Sequence, residues 1–217
     1  MRFINILVVL FILTAGAWAQ SFPLTDEAKN DPSFLAFRQN LQAIVKKRDW
    51  NELLKHVDPQ ITYTYGLGKP GPQGFKQFWT SESRNLWPEL STALDRGGKF
   101  SEKKSFIAPY YTTSCWPKDK DEQTWAAVVG NNVPIYVAAD KKSRELKGLS
   151  YQLVEVAPQE KFDPKWTKIL LPKDYQNALK IESCYIESKN IGRMLDYHAE
   201  FVKKNGRWML TAFTGGC

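Results

Sequence analysis

Near the C-terminus, Asn205-Gly206 stands between two runs in which apolar and polar residues alternate, and no other feature constrains the fold as tightly. The pair tolerates positive φ at both positions, which a two-residue hairpin turn matched to strand twist requires. That turn predicts a register in which Phe201 faces Leu210 and Ala199 faces Ala212. Tyr197, Phe201, Trp208 and Leu210 then share the core side, with His198, Glu200, Met209 and Phe213 on the other. A lone hairpin is marginal in water, so further strands and a helical layer must cover it.

The first half of the chain can supply both. Asp31-Pro32-Ser33 opens a helix, with Asp31 or Ser33 as its cap, and Phe34, Phe37, Leu41, Ile44 and Val45 recur on one face. Asp49 caps a shorter helix carrying Trp50, Leu53, Leu54 and Val57, and His56 sits at its end, where a cation meets the helix dipole favourably. Ile61, Tyr63 and Tyr65 alternate with polar residues over 60–65 and predict a half-buried strand. A Gly/Pro turn at 66–71 precedes a helix with Phe75, Phe78 and Trp79, and Leu86, Leu90 and Leu94 continue helical until Gly97-Gly98. Residues 100–111 read as extended.

The pattern changes after the charged break at 118–122. Short β-rich segments at 125–129, 133–137, 148–156 and 166–170, separated by turn residues, predict a small barrel over 123–172. The fold class is therefore α+β, with a scaffold from 33–116 plus 184–217 and a barrel between its parts. Residues 20–32, polar and holding Pro23 and Pro32, read as a linker or loosely held arm.

Arg2, an apolar run over 4–13 and Ala17-Trp18-Ala19 have the three parts of a secretory signal peptide, with cleavage after Ala19 and a periplasmic or secreted product. Past residue 19 no apolar run is long enough to span a membrane. The chain's net charge of +7 falls to +6 without Arg2, an excess that attracts anionic surfaces. Its basic pairs, among them Lys141-Lys142 and Lys203-Lys204, are dispersed rather than arranged in the stripe that nucleic acid binding needs. In an oxidising compartment the three cysteines allow one disulfide. A Cys115–Cys184 bond would tie the neck of the insertion, the alternatives being the other pairings or free thiols.

Residues 125–171 resemble a bacterial SH3-like domain. Val128-Val129-Gly130-Asn131-Asn132-Val133-Pro134-Ile135-Tyr136-Val137 looks like its Gly turn and V-x-V strand, and Trp166-Thr167-Lys168-Ile169 is similar to its closing strand. The flanks resemble NTF2-like proteins through paired helices, Val57-Asp58-Pro59-Gln60-Ile61, Gly74-Phe75 and a terminal hairpin. Together the chain looks like an exported SH3-domain-containing protein. That resemblance implies a non-enzymatic binding function in which Tyr136 and Tyr151 pave a groove for a cell-envelope peptide, glycan or protein. It also implies an aromatic cone, lined by Tyr63, Tyr65 and Trp79, that holds a small ligand. A purely structural envelope role is a further reading.

Chemistry-bearing motifs are sparse. Asp196, His198 and Glu200 at every second position of one strand are the candidates for a hydrolase or isomerase site, or for metal ligands that would converge poorly on a flat strand. Gly66-Leu67-Gly68 is too short for a phosphate loop, no serine lies in a nucleophile elbow, and no motif calls for a cofactor.

Overall fold

The computed structural model describes residues 21–64, 68–81, 83–102, 104–113, 116–158 and 163–215. Along the chain follow α1 (Pro32–Lys47), α2 (Trp50–Leu54), β1 (Val57–Thr62), α3 (Gly71–Trp79), α4 (Leu86–Asp95), β2 (Lys99–Phe100) and β3 (Phe106–Ala108). Next come β4 (Trp125–Val128), β5 (Val133–Tyr136), β6 (Glu145–Leu149), β7 (Leu153–Glu155), β8 (Trp166–Leu170), α5 (Lys173–Leu179), β9 (Ser183–Glu187) and β10 (Ile191–Gly192). The hairpin β11 (His198–Lys204) and β12 (Arg207–Thr214) ends the chain, and the fold is α+β.

Local chemistry explains the helix starts. Asp31 lies in extended backbone and accepts the amides of Ser33 (2.8 Å) and Phe34 (3.0 Å), while Pro32 occupies a first-turn position that needs no N–H. Asp49 caps α2 through the Glu52 amide. The apolar faces of α1 to α4 pack on a five-stranded sheet ordered β1-β12-β11-β3-β2, in which β1 runs parallel to β12 and the other neighbours are antiparallel. Phe34, wholly buried, sits against the rings of Phe106 (4.1 Å), Trp208 (4.9 Å), Phe201 (5.6 Å) and Phe100 (5.7 Å).

At the hairpin, Asn205 (φ 49) and Gly206 (φ 77) both take the left-handed conformation the turn demands, and Phe201 faces Leu210. The pairing then departs from the predicted one: Ala199 faces Phe213, not Ala212. Thr211 is the extra residue of a β-bulge, its hydroxyl donating to the Glu200 carbonyl at 3.1 Å. One added residue reverses the faces beyond it, so Phe213 lies in the core instead of on the outer side.

Sheet pairing runs past the predicted edge of the insertion. β9 pairs with both β5 and β8 in a sheet ordered β6-β5-β9-β8, and β10 joins β4 and β7 in a second small sheet. Residues 183–192 thus belong with the inserted body, because β5 and β8 need β9 to complete their ladders. The segment at 148–156, predicted as one strand, breaks at Tyr151 (φ 40). The Tyr151 amide donates to Gly130 and its carbonyl accepts from Phe22, which turns the chain from one sheet into the other.

Nor is the arm at 20–32 loose in its described part. Phe22 is buried against Tyr110 and Trp116, in a cluster with Tyr111, Ala127 and Leu153 that fills the junction between the two bodies. Four residues on, Asp26 accepts two bonds from the Arg38 guanidinium (2.8 and 2.7 Å) and Glu27 accepts the Phe100 amide (2.9 Å). A polar stretch is thereby held at one end by packing and at the other by charge-assisted bonds.

Candidate functional site

Polar side chains concentrate first at the junction. Arg96, just past α4, donates from Nη1 to the Tyr111 hydroxyl (2.8 Å) and the Ile191 carbonyl (2.9 Å), and from Nη2 to the Lys189 carbonyl. The Tyr111 hydroxyl in turn donates to Asp196 Oδ2 at 3.2 Å, which also accepts the Arg193 amide at 2.9 Å. Burial pushes the Asp196 carboxyl above its ordinary range despite the nearby Arg96 charge. Glu89 rises too, through burial and then the charge of Asp196. A Cβ on Gly192 would lie 2.5 Å from the Tyr111 ring, so only glycine lets β10 approach this closely.

This network places Asp196 differently from the sequence expectation. Asp196 precedes the strand, which begins at His198, and its carboxylate folds back onto the Arg193 amide instead of standing on one face with His198 and Glu200. His198 is half-buried, with Nε2 at 3.2 Å from the Thr214 hydroxyl. Among the described residues no group of three His, Cys, Asp or Glu side chains is gathered as metal ligands would be.

Both histidines are held below their ordinary value of 6.5, chiefly by desolvation. In that state the unfolded chain binds more protons than the folded one, so stability falls as pH drops below about 6.5 toward the folded-state values. We expect His198→Gln to reduce the loss of stability between neutral and mildly acidic pH, read as urea midpoints across that range. An unchanged pH profile would show that His198 contributes nothing to it.

The aromatic candidates lie mostly inside. Tyr63 (5% exposed) donates its hydroxyl to the Lys69 carbonyl, and Trp79 (3% exposed) packs on Tyr197 (4.8 Å) and Phe213 (5.2 Å). These rings pack with one another in the scaffold core; Tyr65 lies outside the described residues. Tyr136 (7% exposed) meets the Trp166 ring edge-on at 5.6 Å, while half-buried Tyr151 serves as the corner residue. Cys184 is a free thiol sealed in the core of the inserted body, its pKa pushed up to about 12 by burial. The Cys115–Cys184 bond is therefore not formed in this structure, and Cys115 lies outside the described residues.

Open concavities flank the hairpin tip instead. One, of about 500 Å³, is lined by Phe100, Val202, Asn30, Lys104, Lys203 and the largely buried Trp208. Ser33 organises it: its hydroxyl donates to Asp31 (2.6 Å) and accepts from Lys203 Nζ (2.8 Å) and Trp208 Nε1 (3.0 Å). The other groove, about 670 Å³, is bordered by Lys55, Lys204 and Arg207, with Lys204 paired to the buried Asp58 at 2.8 Å. Lys203-Lys204 beside the turn was visible as charge, but the approach of Phe100 and Lys104 depends on the long-range pairing of β3 with β11.

No protein-family model matches the chain, and neither a curated protein nor a solved structure is similar to it at a significant level. Among the described residues no helix is long and apolar enough to cross a membrane.

Proposed function

We propose that the chain is an exported binding protein, an NTF2-like scaffold carrying an SH3-like barrel, which contacts a peptide, glycan or protein of the cell envelope. The observation that carries this reading is a contrast between its polar groups. Asp196 is tied into the junction and Cys184 sealed in a core, whereas the lysines beside Phe100 and Trp208 border an open groove. An open concavity with apolar lining and a few polar groups is the form a ligand site takes. The helices over one face of a sheet and the short-stranded insertion support the two resemblances. The signal-like N-terminus supports the compartment.

Sedimentation with purified envelope material over a salt series tests it. The exported form of the chain should be retained at moderate salt, beyond the range where exposed charges alone attract. The double variant Lys104→Ala/Lys203→Ala should lose that retention. Failure of the unaltered protein to sediment at any salt overturns the reading.

A further inference from the structure

Residues 21–27 run from the inserted body to the scaffold and are held at both ends. At the inserted body Ser21 forms an antiparallel bridge with Gln152, and the Phe22 amide donates to the Tyr151 carbonyl at 2.7 Å. The Phe22 ring, 7% exposed, has its centre 5.6 Å from those of both Tyr110 and Trp116. It packs in one cluster with Ala127 of β4 and Leu153 of β7. At the scaffold Asp26 bridges Gly98 in parallel, the Glu27 amide donates to the Gly98 carbonyl (2.9 Å), and the Gly98 amide donates to the Thr25 carbonyl (3.0 Å). The Asp26–Arg38 ion pair at 2.7 Å secures that end. Between the two ends Pro23 and Leu24 are exposed, so the arm is anchored at its limits and bare in its middle.

One side chain in a buried seat, together with main-chain bonds to the neighbouring chain, is how a protein holds an extended peptide. Here both bodies build the seat. Tyr110 follows β3 of the scaffold, whereas Ala127 and Leu153 belong to the inserted body, so neither body completes the seat alone. Residues 21–27 lie in no helix and in none of the three sheets, and their attachment is made of isolated bridges and single bonds. Segments held in this way open at lower free energy than the ladders and cores around them. We infer that the arm is a clasp. It is a peptide segment anchored by Phe22 that holds the inserted body to the scaffold, and it leaves and re-enters its seat while each body stays folded.

Amide exchange of the full chain carrying Phe22→Ala tests the clasp. Residue 22 and the β4–β7 ladder, whose Ala127 and Leu153 pack with the ring, should exchange at least about tenfold faster. The β8–β9 ladder and the β11–β12 hairpin should keep their rates. A synthetic peptide of residues 21–30 is then added in excess of the effective concentration, on the order of millimolar, that the tether gives the weakened arm. It should restore slow exchange in the β4–β7 ladder, and the same peptide with Phe22→Ala should not. Phe22→Leu keeps most of the apolar volume and should show the same pattern to a smaller extent, which carries the comparison if the alanine variant does not fold. Acceleration that extends equally to β8–β9 and β11–β12 would make Phe22 an ordinary core residue and overturn the clasp. Unchanged exchange in the β4–β7 ladder, or equal effects of the two peptides, would overturn it as well.

Discussion

Replacing Arg96 by methionine is expected to destabilise the protein by about 3 kcal/mol, the cost of leaving a half-buried carboxylate, a buried hydroxyl and two carbonyls without their donor. The guanidinium satisfies the Tyr111 hydroxyl and two backbone carbonyls, and it offsets the charges of Asp196 and Glu89. Methionine keeps much of the aliphatic volume but none of the donors. Because Arg96 belongs to the scaffold and its carbonyl acceptors to β10 and the turn before it, the loss should appear as a separation of two unfolding transitions. Urea denaturation followed by tryptophan fluorescence and by amide exchange would read both effects. A single transition with a midpoint within error of the unaltered protein would show that the network does not couple the bodies.

Phe34→Ala should be comparably damaging, at about 3–5 kcal/mol for a fully buried phenylalanine. Its ring is the point where α1, β3, β11 and β12 meet, through Phe106, Phe201 and Trp208. Removing it leaves a cavity that rigid aromatic neighbours fill poorly. Phe34→Leu should recover more than half of the lost stability, since most of the volume returns. Equal losses for both variants would point to ring–ring geometry, not volume, as the source of stabilisation.

These expectations show what was legible in the sequence. Capping by Asp31 and Asp49 and the turn at Asn205-Gly206 rest on neighbouring residues, and local chemistry announces them. The bulge at Thr211 is different. A single extra residue leaves alternation intact on either side, so the inward turn of Phe213 had no sequence signal. Phe22 was hidden for another reason: it is one apolar residue in a polar stretch, and its partners Tyr110 and Trp116 lie far along the chain. The groove shared this fate. Lysines beside a turn read as solvated charge until the pairing of β3 with β11 brings Phe100 beside them.

The parallel pairing of β1 with β12 governs the order in which the molecule can assemble. Residues 57–62 are among the early parts of the chain to emerge, yet the strand that completes their ladder is 207–214. The inserted body finishes at residue 192, so its ladders can close while the scaffold's central strands are still missing. Contacts of such sequence separation form slowly, because the loop they close must lose its freedom before they repay it. The scaffold therefore waits, with its helices formed at most in part, until the last strand arrives. In a chain with this connectivity the inserted body can order before the sheet that flanks it in sequence.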